Sequence, residues 1–145
     1  MKKLLFAIFA TLCTITSLSA EERVIDQQSL PKSAQKFIST HYAADKVSIA
    51  TMERGLFDTD YKVILTNGVK IEFDQKGSWT DIEGKRNREI PMAIVPSKIA
   101  KHVSKNFPAN KIIQIDRDKR HIDIELDNGL ELKFNTKGEL IEIDN

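Results

Sequence analysis

From residue 60 to the end, the chain is written in short segments where apolar and polar side chains alternate, separated by glycine-containing turns. A period of two marks strands with one covered face and one open face. It predicts strands over 46–53, 60–66, 69–74 and 78–83, and again over 111–117, 121–127, 130–135 and 139–144. Ahead of each set the period becomes helical. Ala34, Phe37, Ile38 and Tyr42 fall at i, i+3, i+4 and i+8, as do Ile99, His102, Val103 and Phe107, so each helix has one core-facing stripe. Pro31 and Pro96 suit a first helical turn, where a missing N–H costs nothing, and Pro108 ends the second helix.

The pattern is also written twice. TNGVKIEFDQKG, residues 66–77, returns as DNGLELKFNTKG, residues 127–138, with five of twelve positions identical. Upstream the offset is 65, matching Ile25 with Ile90, Pro31 with Pro96, Lys36 with Lys101, Ser39 with Ser104, Ala44 with Ala109 and Lys46 with Lys111. The offset becomes 61 from residue 61, so the first copy carries four extra residues between about 53 and 60. The predicted architecture is α+β: two tandem repeats, each one helix plus a four-stranded antiparallel meander, with the helices packed on one face of a shared or continuous sheet. Residues 21–84 would form the first repeat and 85–145 a linker and the second, together one compact domain.

Parity fixes the turns. A two-residue Asn-Gly turn would set Leu126 opposite Glu131 and Ile124 opposite Lys133 on one face. A three-residue loop, Asp127-Asn128-Gly129, pairs Leu126 with Leu130, Ile124 with Leu132 and Ile122 with Phe134 instead, which requires Gly129, and likewise Gly68, to be left-handed. On the outer face the same register sets Lys62 opposite Glu72 and Asp123 opposite Lys133. The turns DQKG and NTKG read the same way, with Gly77 and Gly138 left-handed, Phe73 facing Trp79 and Phe134 facing Leu140.

LPKSAQKFISTHYAADKV followed by YKVILTNGVKIEFDQKGSWTDIE, and VPSKIAKHVSKNFPANKI followed by IDIELDNGLELKFNTKGELIEID, resemble the tandem units of the PepSY-like family of exported bacterial proteins. The resemblance covers nearly all of residues 24–145. It implies helices on one side of an antiparallel sheet, with a fold similar to that of the β-lactamase inhibitor protein, which presents its sheet face to an enzyme. Two departures matter: that inhibitor relies on disulfides, and His102 stands where the first copy has Phe37.

Composition places this fold in a compartment. MKKLLFAIFATLCTITSLSA, residues 1–20, has two lysines, an apolar run and then small residues, the layout of a secretory signal peptide too short to span a bilayer as a stable helix. Export to the periplasm or beyond follows. Cys13, the only cysteine, lies inside this leader after Leu12, which does not suit a lipoprotein site. The mature chain therefore has no thiol, no disulfide and no transmembrane segment, and must be held by its core alone. Without Lys2 and Lys3 it carries 20 basic against 21 acidic residues, a net charge of about −1 that gives nucleic acid no purchase. The short basic run GKRNRE, residues 84–89, reads as a solvated linker.

Catalytic templates come up empty. Ser29/Lys32 and Ser33/Lys36 have Ser-x-x-Lys spacing, but neither Ser-Asp-Asn nor Lys-Thr-Gly accompanies them. His41, His102 and His121 have no metal-ligand spacing, and no cofactor or metal is expected. Two surfaces are candidates for binding. The alternation directs Ile64, Ile82, Ile141 and Ile143 outward, and the extra loop adds Leu56 and Phe57, an apolar surface for a protein or peptide of the cell envelope. The alternative is an acidic stripe, His121, Asp123, Glu125 and Asp127 with Glu131, for an ion or small molecule. It is not an EF-hand, because the sixth position is Asn128 and the twelfth Phe134.

Overall fold

The computed structural model describes residues 20–84 and 88–145. The expected leader, apart from Ala20, and the middle of the GKRNRE run lie outside the described residues. In chain order the elements are β1 (Glu21–Val24), α1 (Lys32–His41), β2 (Val47–Arg54), β3 (Thr59–Leu65), β4 (Lys70–Phe73), β5 (Trp79–Glu83), α2 (Ser97–Asn106), β6 (Ile112–Arg117), β7 (His121–Leu126), β8 (Glu131–Asn135) and β9 (Leu140–Asp144).

The expected division into two helix-plus-meander repeats is overturned. Among the described residues, nine strands form a single antiparallel sheet in the order β1 to β9, with two ten-residue α-helices against it. What erases the boundary is the pairing of β5 with β6, Asp81 to Asp116, Ile82 to Ile115 and Glu83 to Gln114. Around it, Gly84 N–H donates to the carbonyl of Ile113 at 2.7 Å, Ile90 N–H to Ile112 at 2.8 Å, and the Nε of Arg117 to Trp79 at 2.7 Å while its guanidinium lies 3.9 Å from the Trp79 ring centroid. Pattern reading also missed β1, four exposed residues that pair with β2.

Turn parity was right at all four turns. Val63 faces Ile71, Tyr61 faces Phe73, Ile124 faces Leu132 and Ile122 faces Phe134. Gly68 and Gly129 take φ of 89° and 87°, which residues with a Cβ rarely adopt, and Gly77 and Gly138 follow at 77° and 79°. Phe73 pairs with Trp79 and Phe134 with Leu140, as the parity requires.

One covered face results. Val63, Ile71, Phe73, Ile82, Ile115, Ile124, Leu132 and Phe134 are fully buried there with Ala34, Ile38, Ile99 and Val103 of the helices. Phe37 meets Phe73, and His102 meets Phe134, edge to face at centroid distances of 5.8 and 5.4 Å, so His102 works as an aromatic wedge in the place that Phe37 fills in α1. Pro31 and Pro96 stand one residue earlier than expected, at the helix caps.

Because one sheet carries the core, unfolding should be a single transition. Urea melts followed by Trp79 fluorescence and by far-ultraviolet circular dichroism are expected to coincide, and Ile115→Ala should shift both together by about 2–5 kcal/mol. Two separated transitions would show that the halves fold independently.

Candidate functional site

The open face is built by the same register, one residue out of phase with the core. Across it, Cα partners define rows. One row runs Val24, Thr51, Lys62, Glu72, Asp81, Asp116, Asp123, Lys133, Glu142 over all nine strands. The next runs Ile49, Ile64, Lys70, Glu83, Gln114, Glu125, Glu131, Asp144. Side chains of such partners stand about 4.5–5.5 Å apart at Cβ. Glu72, Asp81, Asp116 and Asp123 are therefore four carboxylates side by side on four neighbouring strands.

The cations are unevenly placed among them. Lys70 lies 2.9 Å from Glu83, 3.5 Å from Asp81 and 3.6 Å from Glu72, and Asp81 also accepts from Gln114 Nε2 at 2.9 Å. The hydrogen bond to Glu83 and then the surrounding carboxylates raise the Lys70 pKa against the opposing effect of burial. Lys62 turns to Glu22 at 3.4 Å and Lys133 to Glu142 at 3.7 Å, so neither of the expected cross-strand partners closes as an ion pair. Among the described residues no Lys, Arg or His nitrogen comes within 4.0 Å of the carboxylates of Asp116, Asp123, Glu125 or Glu131. These four line a shallow depression of about 150 Å³ with Gln114 and Ile124. Burial, and then the charges of Asp81 and Asp123 on either side, push the Asp116 carboxyl above the usual range.

The sequence candidates separate on this geometry. Of the acidic stripe, Asp123, Glu125 and Glu131 lie in the depression, and Glu125 stands directly opposite Glu131. His121 sits at the start of β7, beyond them, paired with Asn135. Asp127 is engaged in a turn, accepting from Asn110 Nδ2 at 3.0 Å and from Lys111 N–H at 3.1 Å, and these bonds hold its carboxyl below the usual range. Asp116, Asp81 and Gln114 were missed. They are invisible along any one strand and become neighbours only through the β5–β6 and β6–β7 pairings.

The apolar surface largely dissolves. Ile82 is fully buried opposite Ile71, and Ile143 stands opposite the buried Leu132, so both point to the helix face and not outward. The cause is a bulge in each strand: Thr80 and Ile141 are unpaired extra residues, and parity inverts after them. Ile141 is half exposed at that bulge, Ile64 is half-buried on the open face beside Ile49, and Leu56 and Phe57 stand free at the β2–β3 hairpin tip, 73% and 95% exposed. Among the described residues no group of three or more His, Cys, Asp or Glu converges to hold a metal ion, and no helix is long and apolar enough to cross a membrane.

Comparison with known proteins gives consistent neighbours. A family model described as "Putative beta-lactamase-inhibitor-like, PepSY-like" matches residues 59–142. Among solved structures, a "putative calcium-regulated periplasmic protein" of Bacteroides thetaiotaomicron is 42% identical, with a TM-score of 0.82 over 86% of this chain and 97% of its own. A "putative periplasmic protein from DUF2874 family" of Bacteroides vulgatus is 44% identical, with a TM-score of 0.83 over 86% and 98%. A third, from the same species and of unknown function, is 31% identical, with a TM-score of 0.81 over 86% and 100%. No functionally curated protein matches the sequence.

Burial of Asp116, and then the repulsion around it, make a definite pH prediction. Its folded-state pKa is raised, so its penalty is absent where both states are protonated and enters as pH rises through the carboxylate range, from about pH 4 upward. Asp116→Asn should raise stability by a few tenths of a kcal/mol at neutral pH and low salt. That gain should vanish near pH 3, as read by urea melts at the two pH values.

Proposed function

Because this chain belongs to the PepSY-like family, we propose that it is a periplasmic, non-enzymatic binding module whose acidic open sheet face takes a cation, with calcium as the preferred ion. The observation that supports this reading is the group Asp116, Asp123, Glu125 and Glu131, four carboxylates around one depression with no basic nitrogen within 4.0 Å among the described residues; they do not converge on one point in this arrangement, so a cation would have to draw them together. Gln114 adds a neutral side-chain oxygen. An all-oxygen set suits a hard ion with a tolerant coordination shell, which is calcium before magnesium and both before zinc. The carboxylates rise from one face of the sheet, so they would reach an ion from one side only and leave the remaining positions to water. Such a site binds weakly, in the range of about 10⁻⁴–10⁻³ M typical of extracellular calcium modules.

Further support comes from outside the chain's own geometry. One relative, 42% identical over nearly its whole length, is described as calcium-regulated, and all three neighbours are described as periplasmic. The leader read from residues 1–20 agrees with that compartment. Enzyme chemistry has no support in the family or its neighbours. A second reading, a protein held by apolar surface, now rests on Phe57 and Leu56 at the hairpin tip, where a 95% exposed aromatic side chain has no structural duty. Inhibition of a β-lactamase forms no part of the proposal.

Calcium at ten times its dissociation constant should stabilise the fold by about 1.4 kcal/mol, a melting-temperature rise of several degrees. Magnesium should give less, and Asp116→Asn/Asp123→Asn should abolish the calcium response while leaving the calcium-free protein folded. A melting temperature indifferent to calcium up to about 10 mM, well above the expected range, would sink the reading.

A further inference from the structure

β9 is the last strand of the sheet, so one side of its backbone has no neighbouring strand among the described residues. β5 shows how the same pattern behaves when a strand is supplied. Leu140-Ile141-Glu142-Ile143-Asp144 follows Trp79-Thr80-Asp81-Ile82-Glu83 position for position, and both have a bulge at the second residue. Beside β5 runs β6, whose Ile115 pairs with Ile82, and both isoleucines are 0% exposed. Ile143 holds the equivalent place in β9, on the helix face, yet it is 51% exposed. The covered face thus continues to the edge and stops there unfinished.

Charge selects what could finish it. On the open side of this edge stand Glu142, Asp144 and Glu131, and Lys133 at 3.7 Å from Glu142 is the one basic partner within 4.0 Å among the described residues. A second copy of the chain is a poor occupant. Its β9 would bring Glu142 and Asp144 again, and its β1 edge would bring Glu22 to the open face, the Arg23 of β1 standing on the other face in a pair with Glu21. An extended segment with basic residues at alternate positions is complementary, because a strand presents successive side chains to opposite faces.

We propose that the outer edge of β9 docks an extended basic segment of another protein as an antiparallel tenth strand. Its aliphatic side chains would cover Ile143 on the helix face, and its lysines or arginines would face Glu142, Asp144 and Glu131 on the open face. This site uses backbone pairing at an edge and is independent of calcium on the face.

A defined probe tests it in calcium-free buffer with chelator, so that its outcome is separate from that of the cation reading. The peptide acetyl-Lys-Val-Lys-Ile-Lys-Val-Lys-amide, added to the whole protein, should slow hydrogen exchange of the β9 amides by at least about tenfold. Glu142→Lys/Asp144→Lys should weaken its binding by at least about tenfold, and the same peptide N-methylated at alternate residues should not bind. Absence of binding overturns the proposal. So does equal binding of the N-methylated peptide, or protection that appears on β6–β8 instead of β9, either of which would mean simple attraction to the acidic face. Slowing of β9 exchange with protein concentration alone would show a second copy in the site and would also overturn it.

Discussion

Ile82 and Ile115 face each other across β5 and β6, and the rest of the molecule depends on that contact. Among the described residues it is the only strand pairing that links the first half of the sequence to the second in the sheet. The pair is fully buried between the helix layer and the sheet. Burying two isoleucine side chains contributes about 3–6 kcal/mol. That contact fixes the register of everything on the opposite side as well.

The opposite side is where the register has a cost. Setting Ile82 against Ile115 necessarily sets Asp81 against Asp116 one residue away on the other face, and Glu83 against Gln114. Like charges directly across a pair of strands cost a few tenths of a kcal/mol, an order of magnitude less than the burial that dictates them. The core therefore wins, and the acidic row persists. Within the row, Lys70 serves as counter-ion to Glu72, Asp81 and Glu83 on β4 and β5. On β6 to β8 the one lysine among the described residues of these two rows, Lys133, stands opposite Asp123 but turns to Glu142 on β9, so the unbalanced charge gathers over one half of the sheet.

Much of this was legible in the sequence, and the limits follow one rule. Parity across a turn is a local constraint, and it gave the correct pairing at Gly68, Gly77, Gly129 and Gly138 without any structure. Turn parity does not by itself reach the strands that follow. Trp79 and Ile82 are apolar residues three apart among polar ones, and two such residues can share a face only if the strand carries an extra residue between them; in β9 the apolar Ile141 beside Leu140 hides the same device. That spacing marks the bulge at Thr80 and keeps Ile82 out of the candidate surface, whereas nothing in the β9 pattern marks the bulge at Ile141. The pairing of β5 with β6 is different in kind. It joins residues more than thirty positions apart across a helix, where no local periodicity sets the register. The acidic row, which exists only through that pairing, was correspondingly out of reach, and only its β7 and β8 members could be named.

The same geometry limits how an ion on this face could act. In a helix–loop–helix site the ligands come from one flexible loop, and binding reorganises the flanking helices. Here the carboxylates of Asp116, Asp123 and Glu131 rise from three strands already hydrogen-bonded to one another and packed on the helices. Sheet twist fans neighbouring side chains apart by roughly 20–25° per strand, so an ion drawing them together works against the twist instead of opening a hinge. Relief of repulsion at Asp116 is then the main energetic consequence, and it falls on the strand next to the β5–β6 junction. An ion held on this face would thus change the stability of the junction, with little change in shape.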